Sequence, residues 1–483
     1  MVKSSPEDVL IGDISDAVPI TCVRPSDWPQ RKTRLSQAQQ VAADAQGFTG
    51  KHGQSFCLTS ARGVQRVIAA YDLAPEPEGA AAGRRQDAAM SGQEDFALGA
   101  RLAAALPAGH YRFSPQLSAR RLYRAALGWH LAHYRYDTYK SDPKARVSRR
   151  LAVPEQNLRV RVAADASATA LVRDLVNTPA EDMQPSHIET ATRKLAEQFD
   201  AEVAAIVGDA LIEQNFPTIH AVGRAASDAP RLIELRWGRA DHPKVTLVGK
   251  GVTFDTGGLN LKPGGSMRLM KKDMGGAAHV LGLAQRIMQA RLPICLRVLI
   301  PAVENAISGD AFRPGDIIKS RTGITIEIGN TDAEGRLILC DALALADEEQ
   351  PRQLIDFATL TGAARVALGP DIAPMYCSDD GFARAVLKAS GTLADPIWRM
   401  PLFQPYMPLL NSPVADTNNI SDGPFAGSIT AALFLQKFVT QSPSWTHFDV
   451  FAWSPQTRPG RPVGGDAFAI RAVFDTLEKQ FPI

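Results

Sequence analysis

The chain has 483 residues, more than one compact core holds, so two domains are the default expectation. Apolar residues make up 45% of it, and 53 Lys plus Arg face 51 Asp plus Glu, so it is globular and gives no electrostatic reason for a nucleic-acid or membrane partner. Cys22, Cys57, Cys295, Cys340 and Cys377 are widely spaced and form no CxxC pair, which argues against a disulfide framework or a thiolate zinc site. The first residues lack the pattern of a signal peptide, and no run of about 18 apolar residues occurs, so a cytoplasmic protein without a membrane span is expected.

Residues 75–95, rich in Pro, Gly, Ala and charge, read as an exposed loop or insertion. The basic, polar stretch 140–150 reads as a solvated strand or loop near a boundary, which divides the chain into domains at 1–150 and 151–483. Helical spacing follows at 166–176. Ser186-His-Ile-Glu189 reads as a capping box opening a helix. A β-rich run at 244–248 leads into a Gly-rich loop, and an apolar helix is expected at 275–290. Strands are expected at 294–300, 324–328, 354–358 and 447–452, and helices at 337–346 and 428–438. Short apolar strands separated by helices imply an α/β fold with a mixed, largely parallel sheet covered on both faces. Ligands then bind where loops leave the strands' carboxyl ends.

Two such loops carry chemistry. Val248-Gly-Lys-Gly-Val-Thr-Phe-Asp-Thr-Gly-Gly258 presents Lys250 and Asp255 from a backbone that glycine lets turn tightly, without the spacing of a phosphate-binding loop. Asn330-Thr-Asp-Ala-Glu-Gly-Arg-Leu337 places Asp332, Glu334 and Arg336 at alternate positions. Between them lie Lys262, which alone reads as a surface lysine, and Asp273, which alone reads as a helix cap. Together, Asp255, Asp273, Asp332 and Glu334 would lie at strand ends of one sheet. Four converging carboxylates raise each other's pKa unless cations intervene, and two divalent ions such as Mn²⁺, Zn²⁺ or Mg²⁺ would cancel their charge. Lys250 can ligate only as a neutral amine. No HExxH or Cys/His cluster competes, and His279 and His447 read as packing or hydrogen-bonding residues.

These segments resemble the leucyl aminopeptidase family. The octapeptide 330–337 matches its signature, and the likeness extends to 248–258, Asp273-Met-Gly-Gly-Ala277, Thr359-Leu-Thr-Gly362, Asn177-Thr-Pro179 and Tyr136-Asp-Thr-Tyr-Lys140. It covers roughly 135–483 and leaves the first 130 or so residues unmatched. The resemblance implies a smaller N-terminal α/β domain, a C-terminal catalytic domain, and a cytoplasmic homohexamer whose sites face an interior cavity. It implies a metal-dependent aminopeptidase that releases leucine and similar residues from short peptides. Lys250, Asp255, Asp273 and Glu334 would hold one metal. Asp255, Asp332 and Glu334, with the Asp332 carbonyl, would hold the other. Lys262 and Arg336 match the catalytic positions, with a bicarbonate at Arg336 as general base. Met270, Asn330, Thr359, Leu360, Gly362 and Phe451 are expected at the substrate. Phe451 departs from the small residue of many members and implies a narrowed pocket for the first side chain. Some relatives bind DNA as accessory or regulatory proteins, which is the alternative reading.

Overall fold

The computed structural model describes residues 9–72, 85–143 and 145–482, and the chain divides into two compact units. The first holds residues up to 170 with 391–394 and 456–462; the second holds the remainder.

The first unit is built on a six-stranded sheet in the order Leu10–Ile11, Arg149–Ala152, Gly109–Phe113, Val18–Val23, Gly63–Ala70, Ser55–Ser60. Only the last pair is antiparallel. Helices Arg85–Ala105 and Ala119–Leu131 cross closely at two glycines: a Cβ on Gly99 would lie 1.8 Å from Ala125 O, and one on Gly128 1.9 Å from Phe96 O. This corrects the loop expected over 75–95. Residues 75–84 lie outside the described residues, but from Arg85 the chain is helical, because Pro stops at 77 and the following run has high helix propensity.

The second unit carries a nine-stranded sheet. Its main path runs Ile397–Arg399, Ala373–Cys377, Trp445–Asp449, Gln353–Ala358, Lys244–Gly249, Cys295–Asn305, Arg231–Trp237, Glu202–Val207. The central pairs are parallel, and antiparallel pairings stand towards the margins. Gln353–Ala358 and Trp445–Asp449 are buried at every position, as expected of strands covered on both faces. Helix Gly275–Ala290 packs on this sheet with Ile470–Gln480, and helix Glu334–Asp347 packs with Pro217–Gly223 and Gly427–Gln436.

Four local expectations change. The Gly-rich loop after 248 is a second strand, Gly251–Asp255, which pairs with the far end of Cys295–Asn305 and leaves Lys250 in the break. Thr325–Glu327 belongs to a separate three-stranded sheet with Ile317–Lys319 and Thr417–Asn418, so Asp332 and Glu334 do not leave the main sheet. Only Ile326 of that short strand is buried, whereas the main strands need both faces covered. The helix near 186 begins at Pro185, with Gln184 and His187 as its capping pair, and Ser186 N–H donates to Asp228 instead. The strand expected over 447–452 ends at Asp449, and Ala452 has a left-handed φ of 56°.

Candidate active site

Lys250 is fixed by its backbone: its N–H donates to Phe357 O at 3.0 Å, and its carbonyl accepts from Ala277 N at 2.8 Å. Its Nζ lies 2.7 Å from Asp273 Oδ2 and 2.8 Å from Glu334 Oε1, and donates to Thr359 O at 3.1 Å. The side chain has room only because residue 335 is glycine; a Cβ there would stand 2.4 Å from Lys250 Cε.

Asp273 sits in the short turn Met270–Met274 and does not cap the following helix, whose N-cap is Met274. Thr359 Oγ1 instead donates to its Oδ1 at 2.7 Å. Asp255 closes its strand; Asn305 Nδ2 and Gly257 N–H each donate to its Oδ1 at 2.9 Å. Glu334 is the first residue of its helix. One oxygen from each of Asp255, Asp273 and Glu334 lies within 4.8 Å of the other two. Asp332, with 34% of its side chain exposed, joins through Lys262, whose Nζ is 2.7 Å from Asp255 Oδ2 and 2.5 Å from Asp332 Oδ1.

Burial and the Asp255 charge push the Glu334 carboxyl up to about 8, and burial together with Asp273 raises Asp255. Burial works against the Asp273 carboxylate, but the charges of Lys250 and Lys272 and the hydrogen bonds from Lys250 and Thr359 together outweigh it and lower its pKa. Burial likewise opposes the ammonium of Lys250, where Asp273 and Glu334 prevail, and that of Lys262, where Asp255 and Glu334 prevail; both pKa values rise. Four carboxylates face two lysines, an excess of negative charge. Glu334 Oε2 is buried and accepts no hydrogen bond from any described residue. A hard divalent cation fits this oxygen-rich set.

Arg336 lies in the same helix as Glu334. Its Nη1 donates to Asn419 O at 2.6 Å, while the buried Nε has no hydrogen bond among the described residues. Burial lowers its pKa to about 10. Asn419 in turn braces the signature loop, accepting from Gly329 N at 2.8 Å and donating to Asn330 O at 2.8 Å. Asn330 Oδ1 accepts from Asp332 N at 2.8 Å, so its side chain is committed within the loop. Thr331 Oγ1 donates to Gly257 O at 2.6 Å and accepts from Asn260 N at 2.8 Å, tying the two chemistry-bearing loops together. The sequence reading missed Asn260, Asn305, Thr331 and Asn419, because neutral side chains that brace loops form no pattern.

The remaining candidates lie on the Met270–Met274 turn, the segment after Thr359 and the segment after Asp449. Leu360 N and Thr361 N donate to Asp449 Oδ1 at 3.0 and 3.1 Å. Gly362 opens helix Gly362–Leu368, which carries Arg365; its guanidinium carbon stands 5.0 Å from the Phe451 ring centre. Lys272 Nζ stands 4.8 Å from the same centre. Met270 is half-buried at the start of the Asp273 turn. His279 stacks between Phe357 and Phe468, and His447 Nδ1 bonds Asp356 at 2.5 Å, the packing and bonding roles expected of both.

Residues 170–474 match the family model "Cytosol aminopeptidase family, catalytic domain", and residues 18–154 match "M17 aminopeptidase, N-terminal domain". The probable cytosol aminopeptidase of Syntrophotalea carbinolica is 36% identical over 473 residues, 93% of each chain. That of Roseiflexus castenholzii is 40% identical over 363 residues, 72% of this chain and 74% of the relative. The crystal structure of cytosol aminopeptidase from Coxiella burnetii superposes with a TM-score of 0.88 at 43% identity, over 98% of this chain and 99% of that one. The bottromycin maturation enzyme BotP in complex with Mn superposes with a TM-score of 0.82 at 33% identity, over 96% and 100%. None of these relatives favours the DNA-binding alternative. With the family matched along both domains and a buried carboxylate cluster at its centre, the chain belongs to the cytosol aminopeptidase family and is a metal-dependent aminopeptidase.

Proposed function

We propose that the enzyme releases the first residue of short peptides at a two-cation centre. Lys250, Asp255, Asp273 and Glu334 would hold one ion, and Asp255, Asp332 and Glu334 the other, with Asp255 and Glu334 shared. The observation that carries this reading is the buried Asp255–Asp273–Glu334 triad, its oxygens within 4.8 Å of one another and its charge unbalanced by lysine. When bound, the cations supply an activated water and a seat for the substrate's free α-amine, which accounts for removal of end residues only. Mn²⁺ or Zn²⁺ suits these ligands, and Mg²⁺ is a further fit; the manganese in the BotP structure supports the first.

Lys262, held cationic by its two carboxylates, would polarise the scissile carbonyl and meet the developing oxyanion, a contribution of about 3–4 kcal/mol for one such donor. The peptide bond opens as one water adds, its oxygen to the acyl carbon and a proton to the leaving amine. With the carboxylates of the cluster given over to the cations, the general base would come from outside it. Arg336, with its buried Nε unused, would hold a bicarbonate that supplies that function. A cytoplasmic hexamer completes the reading, and light scattering should return six times the subunit mass.

Leucine p-nitroanilide at about pH 8–9 tests the proposal, since ligands and water are most readily deprotonated there. Release should require Mn²⁺ or Zn²⁺, stop with chelator, and vanish in the Asp332→Ala/Glu334→Ala double variant. No release from leucine, alanine, methionine or glutamate substrates with any metal would overturn it.

A further inference from the structure

Lys272 is only 6% exposed, yet no described residue gives its ammonium a hydrogen bond or an ion pair. Its Nζ stands 4.8 Å from the centre of the Phe451 ring. The guanidinium of Arg365 approaches the same ring from another element. Asp449, at the end of strand Trp445–Asp449, is already occupied, since it accepts from Leu360 N, Thr361 N and, at 2.5 Å, Thr361 Oγ1. Two cations therefore converge on one aromatic ring; the charges of Asp273 and Asp449 act on Lys272, but among the described residues no carboxylate forms an ion pair with it.

An ammonium withdrawn from water is unfavourable unless it is paired. A cation against a phenyl face recovers only about 0.5–2 kcal/mol. Arg365 next to Lys272 makes the balance worse, by like-charge repulsion. Lys272 also directly precedes Asp273 in the chain, so an anion that reached it would lie one residue's span from the carboxylate cluster. A substrate residue whose α-amine sits at that cluster has a side chain of the right reach.

We propose that Lys272, assisted by Arg365, receives the carboxylate of an aspartate or glutamate as the substrate's first side chain, so that the enzyme favours acidic N-terminal residues over leucine. This rests on the reading that the substrate amine is seated at the Asp255–Asp273–Glu334 cluster. A leucine side chain would set hydrocarbon against an ammonium, and a lysine or arginine side chain would meet two like charges. The ring of Phe451 excludes water from one side of the pair, which strengthens an ion pair formed there.

The test uses the Mn²⁺-loaded enzyme and p-nitroanilides of glutamate, leucine and lysine, which have no C-terminal carboxylate to compete for Lys272. kcat/KM for glutamate should exceed that for leucine by about tenfold or more, and lysine should be poorest. Lys272→Met should lower the glutamate-to-leucine ratio below one, and Lys272→Arg should restore most of it. A wild-type preference for leucine, or a ratio that Lys272→Met leaves unchanged, overturns the proposal while leaving the aminopeptidase reading intact. If no anilide is turned over, that reading falls, and calorimetric titration of free L-glutamate and L-leucine into the same proteins decides this one. Tighter glutamate binding that Lys272→Met abolishes supports it, and equal binding of the two overturns it.

Discussion

Lys250 and Lys262 each stand within 2.8 Å of two carboxylates, whereas Lys272, a neighbour in the same loops and nearly as buried as Lys250, faces an aromatic ring and an arginine. Burial disfavours all three ammonium ions. The carboxylates overcome it at the first two, whose pKa values rise, and burial prevails at the third, lowered to about 8. Burial alone therefore does not fix what a lysine does; the anions within reach do. One side of the site has an excess of carboxylates that calls for cations, and the other an excess of cations that calls for an anion. Among the described residues, no carboxylate forms an ion pair with Lys272, and Glu334 Oε2 accepts no hydrogen bond.

Breaking the acidic side should have the largest effect. Glu334→Gln keeps the shape of the side chain and removes a charge from the centre of the triad. It should reduce kcat by at least about a thousandfold, with metal content falling in parallel and circular dichroism unchanged. Full activity with normal metal content would show that Glu334 is only structural. Arg336→Ala should cost about a hundredfold to a thousandfold in kcat with little change in KM, and added bicarbonate should restore part of it. Absence of both effects would remove Arg336 from the reaction.

Proton release sharpens the same contrast. Without metal, Lys250 is an ammonium and Glu334 titrates near about 8, so loading at pH 7 must expel protons from both. A weakly buffered titration with Mn²⁺ should acidify, and Lys250→Met should release fewer protons per metal bound. Stability follows with a definite sign. Between the ordinary glutamate value and about 8, the folded metal-free protein holds a proton that the unfolded chain has lost. Its stability through Glu334 therefore declines as pH rises across that window. The Tm of chelator-treated protein should fall from pH 5 to pH 8 relative to metal-loaded protein. Parallel profiles would mean that Glu334 ionises normally.

Much of this was legible in the sequence where residues of strong character sat at fixed intervals. The helix Gly275–Ala290 and the strand at 353–358 followed from apolar runs, and the acidic positions followed from the signature octapeptide and the 248–258 segment. What stayed hidden depends on pairing at long range. Gly251–Asp255 reads as a loop because four of the eleven residues over 248–258 are glycine, and it becomes a strand only through Cys295–Asn305. Thr325–Glu327 alternates like any strand, and nothing local reveals that its partners are Ile317–Lys319 and Thr417–Asn418. Lys272 gave no signal beside Lys271 in a basic pair. Lys271 turns away to donate to Asn177 O at 2.6 Å, and only the fold separates the two.

The smallest expected effect, from Phe451→Ala, separates size from charge in the cationic corner. The ring is half-buried and touches both Lys272 and Arg365, so its removal opens space and leaves the two charges in place. If the ring narrows the pocket, methionine and leucine amides should gain on alanine amide. The gain should be up to about tenfold in kcat/KM, since a few methylenes in such a pocket contribute about 1–3 kcal/mol each at most and a solvated space recovers only part of that. An unchanged ranking would place Phe451 outside the pocket. The response to glutamate is the more informative comparison, because the carboxylate is drawn by Lys272 and not by the ring. Its rate should fall only modestly, as water enters and weakens the ion pair. A loss for glutamate as large as that from Lys272→Met would instead mean that Phe451 holds the lysine in position, and that size and charge selection are one device.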